Sequence, residues 1–455
     1  MTESFDLVVV GTGAGGSAPV SACSKAGWRV AVIDDLPFGG TCQLRGCDPK
    51  KVLMGAAEVI DWQRRMASHG IGGESRIDWP ALMRFKRTFT DPPPAKLEAG
   101  FEKAGVVSYH GSARFTGDAS MVVTGADGSE HDLEAKHFVI ASGAEPAPLG
   151  IPGAEHVRTS TDFMELDELP PSIAFIGAGY ISLEFAHIAQ RAGAHSIVLG
   201  RGTPLPHFDQ DLVAHLVAHT RSAGIVLRTD SNVLSVEKYG ERYRVHIATE
   251  AGTDAIDVDL VIHGAGRVPK TKHLELNRSN VASDKHGAVI VNEFLQSTSN
   301  PRVYAAGDCT NPPGSLPLTP VAAHEGIVVS SNLLHGNNKK PDYRGIPSVV
   351  FTVPPLATVG ITEAEARKLG LSVQVKCEET SAWFSNRRVQ EPAAMYKTIV
   401  EQGSDRVLGA HLLGANAADV INVFALAVRH GLTATDLKHM IYAYPTSTSD
   451  VLHML

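Results

Sequence analysis

Two cysteines, Cys42 and Cys47, stand in the stretch GGTCQLRGCDPKK, residues 39–51, with four residues between them. Thiols this close can share a metal ion, staple the backbone, or cycle between dithiol and disulfide and so carry electrons. The other cysteines are Cys23, Cys309 and Cys377, and none stands close to another. A zinc site built from four cysteines is therefore hard to assemble. Histidines number 20, but His324, His439 and His453 fall into no recognisable ligand spacing, so no metal site is expected. Buried, inert thiols are the expectation for Cys23, Cys309 and Cys377. After the pair, KKVLMGAAEVIDWQRRM carries apolar positions at helical spacing, and Pro49 suits a first turn. A helix start with Lys50 and Lys51 beside it favours the thiolate, which is the reactive form of cysteine.

The elements before the pair say what it stands next to. The apolar run FDLVVV breaks into Gly11-x-Gly13-x-x-Gly16, a small-residue segment SAPVSACSKAG follows, and WRVAVIDD ends in Asp34 and Asp35. Strand, glycine turn, helix, strand and acid in this order make a dinucleotide-binding unit. The glycines let backbone approach a pyrophosphate, the helix N-terminus offers free N–H groups, and Asp34 accepts from a ribose. The short loop LPFGGT then leads straight to Cys42. Residues 172–201 repeat the pattern, with Gly177-x-Gly179-x-x-Ser182 at the turn. Two such units in one chain point to a flavin and a nicotinamide. The offset that reaches Asp34 in the first copy reaches Gly200 in the second, with Arg201 next. A carboxylate there would repel a 2′-phosphate, whereas Gly followed by Arg accepts one. FAD is expected in the first site. NADPH is expected in the second, with NADH possible.

A chain of 455 residues is too long for one core, and two to four domains of about 100–200 residues are expected. The formal net charge of −8 argues against a nucleic-acid surface. The N-terminus MTESFDLVVVGTG has an apolar run of only about five residues and no basic flank, so no signal peptide is expected. No stretch approaches the roughly 18–20 apolar residues of a membrane span, and a cytoplasmic location is expected. The domain reading is an α/β protein with two Rossmann-like dinucleotide-binding domains, for FAD and NAD(P), plus a C-terminal α+β dimerisation domain. Residues 1–150 begin the FAD domain, with a turn, a helix and a β-meander over 91–137. Residues 151–268 form the NAD(P) domain, 269–335 return to the FAD domain, and 342–455 form the interface domain. In the last, YKTIVEQGSDRVLGAHLLG reads as a hairpin, and ADVINVFALAVRHG as an amphipathic helix ended by Gly431. Trp383-Phe384 and Arg387-Arg388, just before the hairpin, read as packing aromatics and solvated charges, with a substrate mouth as the alternative.

The stretch GGTCQLRGCDPKK resembles the redox-active disulfide of the pyridine nucleotide-disulfide oxidoreductases, the family of glutathione reductase, dihydrolipoamide dehydrogenase and mercuric reductase. The likeness covers nearly the whole chain. FVIASGAEPAPLGIPG (138–153) and GAGRVPKT (264–271) resemble the two crossovers between the nucleotide domains. VYAAGDCT (303–310) resembles the second FAD motif, and LTPVAAHEG (318–326) the helix that faces the flavin. The resemblance implies a homodimer and a cofactor role for Gly40, Thr41, Ser142, Gly143, Gly266, Arg267, Gly307 and Thr319, with Asp308 on the ribityl chain. It implies electron flow from NADPH to FAD to the disulfide. Cys47 would be the charge-transfer thiolate and Cys42 the interchange thiol. Lys51 matches the lysine near the flavin, and Glu184 the acid that pairs with it.

The departures concern the substrate face. The family's dithiol-disulfide enzymes carry His-Pro-Thr-x-Ser-Glu near the C-terminus, a base and its orienter supplied by the partner subunit. This chain reads AYPTSTSD, with Tyr444 at the His position, Ser449 at the Glu position and Asp450 one place late. A phenol, with a pKa near about 10, is a poor base at neutral pH. The usual Asn between the cysteines is absent, and Leu44-Arg45 fills the space. Mercuric reductases also carry Tyr at the matching position, but they deliver Hg(II) through a C-terminal cysteine pair that SDVLHML lacks. The expected function is an NADPH-dependent FAD oxidoreductase passing electrons through Cys42–Cys47 to a small disulfide or other thiol-reactive acceptor. The alternatives are a mercuric-reductase-like soft-metal reductase and a redox-sensing flavoprotein with little turnover. Neither a nucleic acid nor a membrane is expected as partner.

Overall fold

A computed structural model of the chain describes residues 2–455, which divide into two compact units. The first is built from the stretch ending at Lys50, Lys86–Ala147 and Arg267–Tyr343. The second is built from Lys51–Phe85, Pro148–Gly266 and Arg344–Leu455.

In the first unit the apolar run forms the strand Glu3–Val10. It pairs in parallel with Val30–Asp34 on one side and Glu130–Ile140 on the other. Val107–His110 extends the sheet beyond Val30–Asp34, and Val303–Ala305 pairs with the end of Glu130–Ile140, both in parallel. Leu7, Val8 and Val9 are fully buried, as a continuous apolar run covered on both faces requires. The first residues of Glu130–Ile140 also carry an antiparallel meander with Ser120–Thr124 and Ser112–Gly117. The helix Pro92–Lys103 precedes it, with proline at its first position. Helices Ala14–Lys25 and Thr319–His335 cross almost backbone to backbone. A Cβ on Gly326 would meet Gly15 O at 2.6 Å, so the crossing demands glycine.

The second unit holds a four-stranded parallel sheet in the order Val226–Arg228, His195–Leu199, Ser172–Ile176, Leu260–His263. The helix Tyr180–Arg191 follows the second glycine turn. A three-stranded antiparallel sheet spans residues 232–258. A five-stranded antiparallel sheet contains the expected hairpin, Met395–Glu401 with Val407–Leu413, and the helix Ala417–His430 ends at Gly431. Buried ion pairs tie the unit together, Arg191 to Asp61 at 2.7 Å and Lys397 to Asp209 at 2.9 Å. Trp383 packs on Tyr396, whereas Phe384 is exposed.

Three details differ from expectation. Cys42 sits in a short helix of its own, Gly40–Arg45, and the following helix starts at Cys47 itself, Cys47–Met66. Cys377 is exposed, because Val373–Glu379 is the edge strand of its sheet. The two crossovers pair with each other as the antiparallel strands Ala144–Pro146 and Arg267–Pro269. Among the described residues no helix is long and apolar enough to cross a membrane.

Candidate active site

The cysteine loop is held against the first glycine turn by contacts that leave no room for side chains. Gly40 begins the short helix at φ +71°, and a Cβ there would collide with the Cα of Gly13. The neighbouring Gly39 N–H donates to Thr12 Oγ1 at 3.0 Å, and that hydroxyl donates to Asp34 at 2.7 Å. One chain of hydrogen bonds therefore joins the acid at the strand end to the start of the cysteine loop.

Both cysteines are free thiols, Cys42 half-buried and Cys47 exposed. They share a hydrogen bond, and the proton stays with Cys42. Cys42's donation lowers Cys47 to about 6, helped by the Thr319 hydroxyl and the Lys50 charge, while burial opposes the shift. The same bond and burial push Cys42 up. Thr319, the first residue of Thr319–His335, has its Oγ1 3.6 Å from Cys47 Sγ. Asp48 Oδ1 lies 3.9 Å from Cys42 Sγ. Negative charge is thus concentrated on Cys47. Its pKa lies below the ordinary 9.0, so the stabilisation is full above that value and is lost as pH falls through about 6. Thiolate absorbance of the dithiol form should titrate near pH 6 and vanish in Cys47→Ser; a midpoint above about 8, the free-thiol range, would contradict this assignment.

Lys51 and Glu184 do not meet. Lys51 bonds Glu58 at 2.7 Å, two helical turns on, and lies over the Phe351 ring. Glu184 is buried and accepts the Phe351 N–H at 2.7 Å. Lys50, three residues after Cys47, is the lysine whose charge reaches that sulfur. Tyr444 is 82% exposed. Ser449 is buried and donates to Thr446 O at 2.6 Å, and Asp450 accepts from Ser385 with its carboxyl raised by burial.

The first cradle fits a flavin dinucleotide. Gly11 has φ +106°, and a Cβ there would run into Ala141 O, while one on Gly16 would run into Gly11 O. The helix Ala14–Lys25 starts at Gly13 with no side-chain cap, which leaves N–H groups free for a pyrophosphate. Asp34 accepts from Thr12 N–H, Thr12 Oγ1 and Leu36 N–H. A carboxylate has about four lone-pair sites, so room remains for a ribose hydroxyl. Ser142 Oγ is buried without a partner, and Gly143 follows it. Gly307 and Asp308 follow the strand Val303–Ala305, and burial raises the Asp308 carboxyl while Arg267 opposes the shift. An orphaned hydroxyl and a desolvated carboxyl at the strand ends suit a polar ligand. Thr41 lies in the helix with Cys42.

The second cradle repeats the design. A Cβ on Gly177 would meet Gly264 O at 2.5 Å, Gly179 caps Tyr180–Arg191, and Ser182 Oγ is buried without a partner. A Cβ on Gly200 would meet Ala178 Cβ at 2.6 Å, so close packing excludes an acid from that position. Arg201 is exposed. Gly266 precedes Arg267, whose guanidinium donates to Ala144 O.

Sequence reasoning missed Glu325. It is fully buried in Thr319–His335 and accepts from Gly307 N–H at 2.6 Å, Tyr343 Oη at 2.7 Å and Ser315 Oγ at 2.8 Å. It holds the turn that presents Asp308. The available signal was an acid inside the apolar helix sequence VAAHEGIVV. Among the described residues no group of three or more His, Cys, Asp or Glu is arranged to hold a metal ion.

The family model described as pyridine nucleotide-disulphide oxidoreductase matches residues 5–326, and the dimerisation-domain model of that name matches 346–455. The chain belongs to this family. The oxidoreductase is 35% identical over 456 residues to glutathione reductase of Burkholderia cepacia, covering 97% of this chain and 96% of the relative. It is 32% identical over 458 residues to mercuric reductase of Streptomyces lividans, covering 97% and 94%. Its fold is also similar to that of the HOCl-induced flavoprotein disulfide reductase RclA from Escherichia coli in its Cu(II) complex. There the TM-score is 0.88 at 26% identity, covering 100% of this chain and 99% of that one. The oxidoreductase uses FAD and a nicotinamide nucleotide, and its C-terminal part is a dimerisation domain.

Proposed function

We propose that this oxidoreductase passes electrons from NADPH, through FAD, to the Cys42–Cys47 pair and on to a small disulfide or another thiol-reactive acceptor. The observation that carries the reading is the asymmetry of the thiols, with Cys47 biased to thiolate and Cys42 to thiol. Bound FAD would supply the two-electron relay between nicotinamide and disulfide. The protein's own groups do the rest. Gly11, Gly13 and Gly16 admit the pyrophosphate, Asp34 takes a ribose hydroxyl, and Asp308 takes the ribityl chain. Cys47 keeps the charge of the reduced pair, and Cys42 attacks the acceptor. Lys50, rather than Lys51, is the cation we assign to the flavin side of Cys47. Residues 1–150 with 269–335 hold FAD, 151–268 hold the nicotinamide nucleotide, and 342–455 join two subunits into a homodimer in the cytoplasm.

Arg201 supports NADPH, since no hydrogen bond or ion pair engages it among the described residues and packing keeps position 200 free of a carboxylate. Hydrogen bonds to charged groups contribute about 1.5–3 kcal/mol, so Arg201→Ala should raise KM for NADPH about 10-fold or more and leave KM for NADH unchanged. A wild-type enzyme that prefers NADH would rule out the assignment.

A second reading is a soft-metal reductase. Tyr444 favours it, because reduction of a metal ion needs no proton delivered to a leaving sulfur. Relatives named mercuric reductase, and the RclA structure with Cu(II), point the same way. Anaerobic NADPH oxidation with small disulfides in one series and thiol-bound Hg(II) in another decides between them. Turnover with a disulfide supports the first reading. Turnover with the metal alone supports the second.

A further inference from the structure

The chemistry of disulfide exchange leaves a gap in this chain. A thiol that attacks a disulfide must lose a proton, and the departing alkylthiolate must gain one. The positions that supply a base and its orienter elsewhere in the family hold an exposed phenol at Tyr444 and a serine committed to its own turn at Ser449. Among the described residues, the groups that act most on the Cys42 thiol are Cys47, the Thr319 hydroxyl and Asp48, and Asp48 accepts from its Sγ. Only Asp48 among them can take a proton and give it up again while Cys47 holds its charge. Its Oδ1 is 3.9 Å from Cys42 Sγ, at the long end of a hydrogen bond to sulfur. Catalytic hydrogen bonds are commonly long before substrate binds. Asp48 is exposed in the first turn of Cys47–Met66, where an incoming substrate can reach it.

We propose that Asp48 is a catalytic residue that carries the proton of the interchange thiol. Its carboxylate takes the proton from Cys42 as that sulfur attacks a substrate disulfide, and returns it to the departing thiolate. The role rests on the disulfide reading above. In the first step the Cys42–substrate S–S bond forms and the substrate's own S–S bond breaks. The Cys42 proton moves to Asp48 and then to the leaving sulfur, which departs as a thiol. In the second step the Cys47 thiolate attacks Cys42, the protein disulfide forms, and the other half of the substrate leaves as a thiolate. Two electrons pass from the dithiol to the substrate disulfide. Lys50, beside Cys47, holds charge on that sulfur until the second step consumes it.

The test uses the FAD-loaded dimer, reduced anaerobically with NADPH and then mixed rapidly with one of three probes. Hydroxyethyl disulfide releases a basic thiolate that needs a proton. Dithiobis(nitrobenzoate) releases an acidic thiol that does not. Iodoacetamide, used on the Cys47→Ser background so that the Cys47 thiolate does not compete, alkylates Cys42 and releases iodide. General acid–base help contributes about 10²–10⁴-fold, so Asp48→Asn should slow hydroxyethyl disulfide by about 10²-fold and Asp48→Glu should recover most of the loss. Reduction of dithiobis(nitrobenzoate) and alkylation should each slow by less than hydroxyethyl disulfide reduction, because they need the proton taken from Cys42 and none returned to a leaving group. Equal losses on both disulfides, or losses that Asp48→Glu does not recover, would overturn the role, since Asp48 would then only shape the loop. An unchanged rate with hydroxyethyl disulfide would overturn it too. A wild-type enzyme inert toward both disulfides would overturn the disulfide reading itself, and this role with it.

Discussion

Cys42→Ser will lose turnover with every disulfide acceptor by about 10³-fold or more, because a covalent nucleophile has no replacement in the site. Reduction of the flavin by NADPH, read as bleaching of its visible absorbance, will continue. The serine hydroxyl can still donate to Cys47, so the thiolate should keep a low pKa. Cys42→Ala removes the donor as well. That donation is the largest influence lowering Cys47, so its titration should move upward from about 6 toward 9.0. The serine and alanine variants thus separate the nucleophile from the hydrogen-bond donor at one position. Undiminished disulfide turnover in Cys42→Ser would contradict the assignment of the interchange thiol.

Gly40→Ala will be the most damaging small change near the site. The added methyl would meet the Cα of Gly13, which cannot move without opening the turn that admits the pyrophosphate. The residue would also hold φ +71° with a Cβ. Overpacking costs about 1–3 kcal/mol, and the left-handed conformation adds about 1–2. Together they should destabilise the protein by about 2–5 kcal/mol, lower its melting temperature and strip FAD during purification. Full flavin content at wild-type stability would show that the loop can swing clear of the fingerprint, and that the contact does not position Cys42.

Much of this was legible from local sequence. The fingerprints could be read because they couple two signals, an apolar run buried on both faces and a turn in which only glycine fits. The hairpin and the helix ended by Gly431 carried equally local marks. Other features depend on contacts between distant parts of the chain. Thr319 reaches Cys47 across more than two hundred residues of sequence, and its apposition to the sulfur had no local signature. Glu325 looked like a misplaced acid until Gly307, Ser315 and Tyr343 were brought around it. Lys51 was expected to pair with Glu184, and it bonds Glu58 instead, while the Lys50 charge acts on Cys47. Lys50 and Lys51 are chemically identical and adjacent, and only the helix phase set by Cys47 decides which one the sulfur feels.

The paired crossovers carry one more consequence. Pro146 lies directly opposite Arg267 in antiparallel register. The chain between them is therefore a detour that begins and ends at one doorway. To the sheet carrying the first glycine turn, more than a hundred residues of intervening chain are equivalent to a hairpin loop. A turn of about two residues, such as Asn-Gly, could close the same pair of strands without moving either. The stretch that carries the second cradle thus leaves and re-enters the first unit through one strand pair, and that pairing holds its two ends together whatever its length.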